Sequence, residues 1–187
     1  AAFVTGLEAG AVSDDFDPEV HLANVGTINQ TTMLASETRE IEAKIRAAMA
    51  DRDGEAAVSD SFRELNTICR ATQENQDSVT ELAQSGQLDL LIVVGGYDSS
   101  NTRNLTRVGG DAFPSYHVIG PEALKHDVIV HRDPKSGELV ETRGWIPEGD
   151  FTAGFTAGAS TPDTLLGDTI QRVLEVAEPS AASAPGK

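Results

Sequence analysis

The sequence predicts an α/β fold, with open, mostly parallel sheets flanked by helices. Three observations carry that reading. Leu88 to Val94 is a short apolar run ahead of Gly95-Gly96, as expected of a strand buried on both faces. Strand-like segments alternate with helix-period segments, which favours βαβ units. Turns of Ser, Thr, Asn and Gly separate them.

Taken in order, Asp14 to Pro18 reads as a turn and Val25 to Ile28 as a short strand. A helix fits Met33 to Ala50, with Leu34, Ile41, Ile45, Ala48 and Met49 on one face and Glu40→Lys44 and Glu42→Arg46 as i,i+4 pairs. A short helix is expected near Ser59 to Leu65 and a longer one over Gln73 to Gln84, stopped by Gly86. After the Leu88–Val94 strand, a helix runs from Ser100 to Val108, followed by a strand over Ser115 to Ile119. Val128 to Arg132 and Leu139 to Arg143 flank Asp133-Pro-Lys-Ser-Gly137 as a hairpin. The last helix is capped by Ser160 or Thr161, with Leu166, Ile170, Val173, Leu174 and Ala177 on one face. Three regions are expected: an α/β portion over 1–64, a second α/β lobe over 65–178, and a disordered Ser/Ala/Pro tail over 179–187.

Thirty acidic against fourteen basic residues give a net charge of −16. Such a field disfavours nucleic acid and anionic membranes as partners, since both are bound through Lys/Arg patches. The longest apolar run, Leu90 to Val94, is far too short to span a bilayer. One cysteine, Cys69, rules out an intramolecular disulfide and fits a reducing compartment. His21, His117, His126 and His131 show no zinc-site spacing, and neither a Walker A pattern nor a dinucleotide fingerprint follows any strand.

Four polar turns stand at predicted helix entries: Asn29-Gln-Thr-Thr32, Thr67 to Thr72, Asp98-Ser-Ser-Asn101 and Thr156-Ala-Gly-Ala-Ser-Thr161. In open α/β sheets such turns gather at the carboxyl ends of the strands, and helix N-termini favour anions such as phosphate. Hydroxyl groups add donors without needing a counter-charge. Any one such turn reads first as an ordinary N-cap, and only the four together bring the two readings level. Cys69 is likewise open between a small core residue and a thiolate favoured before a helix.

Four blocks resemble the hydroxymethylbutenyl diphosphate reductases, the LytB/IspH family. They are Asn29-Gln-Thr-Thr-Met33; Asn66-Thr-Ile-Cys-Arg-Ala-Thr-Gln73 with Gln76; Val93-Val-Gly-Gly96 with Ser99-Ser-Asn101; and Thr156-Ala-Gly-Ala-Ser-Thr-Pro162. Glu141 to Pro147 is similar to the longer plant and cyanobacterial branch. The resemblance covers about Phe16 to Val176 and implies part of a three-lobed reductase without its N-terminal lobe. It implies reduction of 4-hydroxy-3-methylbut-2-enyl diphosphate to isopentenyl and dimethylallyl diphosphates in isoprenoid precursor synthesis. It implies a 4Fe–4S cluster on cysteine thiolates, with Cys69 as one ligand, and a donor such as ferredoxin or flavodoxin, in the cytoplasm or a plastid stroma. By motif, Thr31 would line the substrate pocket, and Ser99, Ser100, Asn101 and Ser160 would bind the diphosphate. The family's other cluster cysteines, histidines and catalytic glutamate belong to an N-terminal portion, expected here in cis or in trans. Asp98 stands where an Asn is usual and Asn75 where an Arg is common. Two other readings stay open: a non-catalytic diphosphate-binding α/β module, and one subunit of a split reductase.

Overall fold

The computed structural model describes residues 10–178. The expected tail over 179–187 lies outside the described residues. The described residues divide into two compact units, one of residues 10–30 with 35–67 and the other of 31–34 with 68–178.

In the first unit, α1 (Pro18–His21) is capped by Asp17, whose Oδ1 accepts from the Glu19 amide at 3.0 Å. The expected turn forms at Asp14 and Asp15, where the Phe16 amide donates to the Ser13 carbonyl at 3.0 Å, and it leads into this helix with proline at the first position. There follow β1 (Val25–Thr27), α2 (Ala35–Asp53), α3 (Glu55–Ser61) and β2 (Phe62–Glu64). β1 and β2 pair in parallel, Val25 opposite Phe62, and Met49, Val58 and Phe62 form the core. The short helix expected over Ser59–Leu65 is thus displaced: Gly54 starts it earlier, at φ +87°, and Phe62 leaves it to pair with β1. On α2, Ile41 is half-exposed rather than buried. The Glu40–Lys44 pair forms at 2.6 Å, but Glu42 accepts from the Thr27 hydroxyl and Arg46 turns to Glu64.

The second unit holds α4 (Arg70–Ser85), β3 (Leu90–Val94), α5 (Ser100–Gly110), β4 (Ser115–Val118), a 3-10 turn (Pro121–Ala123), β5 (Val128–Arg132), β6 (Leu139–Arg143), β7 (Ala153–Ala157) and α6 (Asp163–Ala177). Its sheet has the order β6-β5-β4-β3-β7, with β3 parallel to both β4 and β7 and the β5–β6 hairpin as an antiparallel edge. β3 shows why an unbroken apolar run is needed at the centre. Leu90, Ile92 and Val94 pack on one face with Tyr116, Val118, Trp145, Val173 and Val176, while Leu91 and Val93 pack on the other with Val79, Leu105 and Phe113. Alternate side chains thus serve α6 on one side and α4 with α5 on the other.

Two elements differ from the sequence reading. The sequence reading has no strand over 153–157, where only Thr156 and Ala157 fall in a predicted polar turn, because Ala and Gly dilute its strand character. β7 forms because β3 needs a neighbour, and Gly154 lets it close: a Cβ there would lie 2.5 Å from Leu88 Cδ1. On α6 the buried residues are Thr169, Val173 and Val176, whereas Leu174 is more than half exposed. Neither Ser160 nor Thr161 caps that helix. Pro162 holds the N-cap position without a side-chain bond, and the Thr161 hydroxyl donates to the Val94 carbonyl at 3.2 Å. No helix among the described residues is long and apolar enough to cross a membrane.

Candidate functional site

The carboxyl ends of β3 and β7 lie side by side, and their following turns are tied together. The Val94 carbonyl accepts from the Gly158 amide at 2.9 Å as well as from Thr161 Oγ1. Thr102 fills the space between the turns. A Cβ at Gly95 or at Gly158 would each lie 2.5 Å from Thr102 Oγ1, so both positions need glycine for close approach rather than for torsional freedom. Ser160 sits exposed in the second turn.

Ser99 is the N-cap of α5. Its Oγ accepts from the Thr102 amide at 3.2 Å and from the Thr102 hydroxyl at 2.9 Å. With both lone pairs engaged, Ser99 has only its own O–H left, a donor suited to an anion. Ser100 shares a hydrogen bond with Thr32 at 2.9 Å. Asn101 is 3% exposed, yet neither its amide nitrogen nor its oxygen has a partner. Buried amides are normally paired, so this one keeps both a donor and an acceptor free at the start of α5.

The segment Thr31–Leu34 is laced onto the same end of the sheet. Asn104 Nδ2 donates to the Thr32 carbonyl at 3.0 Å and Gln76 Nε2 to the Met33 carbonyl at 2.9 Å. The Cys69 amide reaches the Thr31 carbonyl at 3.4 Å, which brings Thr31 beside the thiol's residue. Asn75 Nδ2 donates to the Ala157 carbonyl at 3.2 Å, joining α4 to the end of β7. All six sequence-predicted residues therefore lie on one end of the second unit. Cys69 caps α4, with Thr72 Oγ1 3.0 Å and the Thr72 amide 3.4 Å from its Sγ. Both groups donate to an ionised sulfur, the hydroxyl foremost, and they hold the thiol below its ordinary value of 9.0.

A family model described as LytB protein matches residues 2–174. The chain belongs to the LytB family. It is 43% identical over 178 residues to the 4-hydroxy-3-methylbut-2-enyl diphosphate reductase of Gloeobacter violaceus, covering 94% of this chain and 42% of that protein. It is 41% identical over 174 residues to the reductase of the same description from Picosynechococcus, covering 91% and 43%. The solved structure of the E-1-hydroxy-2-methyl-but-2-enyl-4-diphosphate reductase from Plasmodium falciparum shares the fold, with a TM-score of 0.56 at 18% identity, covering 79% of this chain and 38% of that one. The LytB chain thus spans about 42% of the length of the curated relatives it matches.

Several further residues of this LytB chain hold the site, with Thr32, Thr72 and Thr161 inside the predicted turns and Thr102 and Asn104 beyond them. Thr32, Thr102, Thr161, Asn104 and Thr72 each fix one of the expected residues or its turn. Position three after Ser99 and after Cys69 was the available signal, since N-caps bond to that residue. The bonds from Thr32 and Asn104 span about seventy residues and leave no local mark. His117 is fully buried and lies under the first turn, with Nε2 3.1 Å from the Gly95 carbonyl. A carbonyl only accepts, so Nε2 carries a proton, and Nδ1 is left unpartnered. Burial, and then the nearby Arg132 and Arg103 charges, hold its pKa below the usual 6.5 against the Gly95 and Gly96 backbone, which works the other way.

Proposed function

We propose that this chain is the C-terminal part of an iron–sulfur reductase that converts 4-hydroxy-3-methylbut-2-enyl diphosphate to isopentenyl and dimethylallyl diphosphates, drawing electrons from a small redox protein such as ferredoxin or flavodoxin. Ser99, Ser100, Asn101 and Ser160 bind the diphosphate, and Thr31 lines the adjoining pocket. The observation that carries this reading is the buried, unpartnered amide of Asn101 at the N-terminal end of α5, next to a Ser99 hydroxyl whose acceptor sites are filled. Both side chains offer donors where the helix dipole also favours negative charge. Such a site needs no basic patch, which suits a chain of net charge −16.

A 4Fe–4S cluster, when bound, would supply the electrons of the reduction. Cys69 has the chemistry of one ligand, as a half-buried sulfur that accepts from the Thr72 amide and pairs with the Thr72 hydroxyl. The rest of a donor set does not accompany it: among the described residues no group of three His, Cys, Asp or Glu side chains could hold a metal. The cluster therefore does not fit the described residues alone, and this chain's own contribution is a thiolate and an anion-binding end.

The test is anaerobic reconstitution with iron and sulfide, followed by visible and electron paramagnetic spectra. The expected result is no stable cluster in this chain alone and a cluster once the N-terminal portion of a relative is supplied. A stable four-iron cluster with reductase turnover in this polypeptide by itself would overturn the assignment. The single thiolate also favours a second reading, a non-catalytic diphosphate-binding module; diphosphate binding with no cluster under either condition would select it.

A further inference from the structure

Arg132, the last residue of β5, makes its polar contacts with the turn that follows β3 rather than with its own hairpin. Nη1 donates to the Tyr97 carbonyl at 2.6 Å and lies 3.3 Å from Asp98 Oδ1. The Arg132 side chain is 24% exposed, whereas the Asp98 side chain stands fully in solvent. Arg132 Nε is buried and has no partner. In the sheet, Arg132 is in register with His117, which holds the Gly95 carbonyl and meets the Tyr97 ring edge-on, with centroids 5.4 Å apart. Two carbonyls of one short turn, Gly95 and Tyr97, are thus drawn toward β4 and β5.

The position of that turn gives the contact its meaning. Asp98 directly precedes Ser99, the N-cap of α5, so a carboxylate is carried on the residue next to the helix end proposed to take the anion. An uncompensated carboxylate there repels a diphosphate, and a guanidinium beside it offsets the repulsion. A charged donor to a carbonyl also fixes the turn more firmly than a neutral one. A simple hairpin brace would need only the Tyr97 contact.

We propose that Arg132 is a positioning residue for the anion-binding turn, holding the Tyr97 carbonyl and offsetting the Asp98 charge so that the turn accepts a diphosphate. The inference rests on the diphosphate reading above. It assigns the β5–β6 hairpin a part in binding, although no residue of the hairpin belongs to the expected diphosphate set.

The experiment is calorimetric titration of inorganic pyrophosphate into the chain, into Arg132→Gln, into Asp98→Asn and into the double variant, with thermal unfolding recorded for each. Arg132→Gln should weaken binding about three- to tenfold, as expected for losing a partly exposed charge-assisted contact. Asp98→Asn should tighten binding by up to about fivefold, and the double variant should lie within about twofold of the parent chain. Weakening by Arg132→Gln that Asp98→Asn does not repair would show a brace without charge compensation and overturn the proposal. Unchanged affinity in Arg132→Gln, with the parent chain binding, would overturn it while leaving the diphosphate reading intact. If Arg132→Gln does not fold, Asp98→Asn decides alone, since an unchanged affinity there removes the charge coupling. A parent chain that does not bind pyrophosphate would overturn the diphosphate reading and this one with it.

Discussion

Asn101 offers a sharp trade between stability and binding. Its side chain is 3% exposed and its amide has no partner on either polar atom. An unpaired buried amide costs about 1–3 kcal/mol relative to an apolar group of the same shape. Leucine is close in shape to asparagine, so Asn101→Leu should stabilise the ligand-free chain by about that amount, or about 2–12 °C in melting temperature for a chain of this size. Pyrophosphate should close or reverse that gap. At one hundred times its dissociation constant it adds about 2.7 kcal/mol to a protein that binds it and nothing to one that does not. Paired melts of the parent chain and Asn101→Leu, each with and without pyrophosphate, read both effects. A variant that melts below the ligand-free parent, or that gains as much from pyrophosphate, would refute the reasoning.

Other expectations follow from the same geometry. Gly158→Ala places a Cβ 2.5 Å from Thr102 Oγ1 and should cost about 1–3 kcal/mol in chemical denaturation, with Thr102→Ala in the same chain recovering most of the loss. Cys69 should be alkylated by iodoacetamide with a midpoint below pH 9.0, and Thr72→Val should move that midpoint upward; a midpoint at the ordinary value would contradict the Thr72 contacts. His117 and His131 are both held below 6.5, chiefly by burial, so the unfolded chain binds their protons first. Their stability contribution is fully present above pH 6.5 and is lost as pH falls through their lowered folded values. Melting temperature should therefore fall from about pH 7 to about pH 5, and less steeply in the His117→Gln variant.

The parts legible in the sequence were those that local chemistry controls. Leu90–Val94 is apolar at every position because helices cover both faces of the central strand, and a continuous run announces that. The β5–β6 hairpin shows its ends through Asp133 and Gly137, and Gly137 has a positive φ of +75°. Cys69 and Ser99 bear the marks of N-caps because each bonds three residues ahead. What stayed hidden is cooperative. β7 is built from Ala, Gly, Phe and Thr, and only its pairing with β3 makes it a strand. β2 lies in helix-like sequence and exists because β1 offers it a partner. Ser160 reads as a cap, yet the neighbouring Thr161 hydroxyl is spent on Val94, a contact sixty-seven residues away. Arg132 reads as a strand-end charge, and its reach to Tyr97 and Asp98 depends on the register between β4 and β5.

The central claim is that the turns after β3 and β7 together hold a diphosphate. Pyrophosphate titration followed by amide nitrogen–proton spectra of the labelled chain tests it most directly. The Asn101 side-chain amide and the backbone amides of Ser100, Asn101 and the Gly158–Thr161 turn should shift together and saturate with one affinity, while those of α6 stay in place. Shifts confined to the exposed Lys135 turn, or an Asn101 amide that does not move, would contradict it.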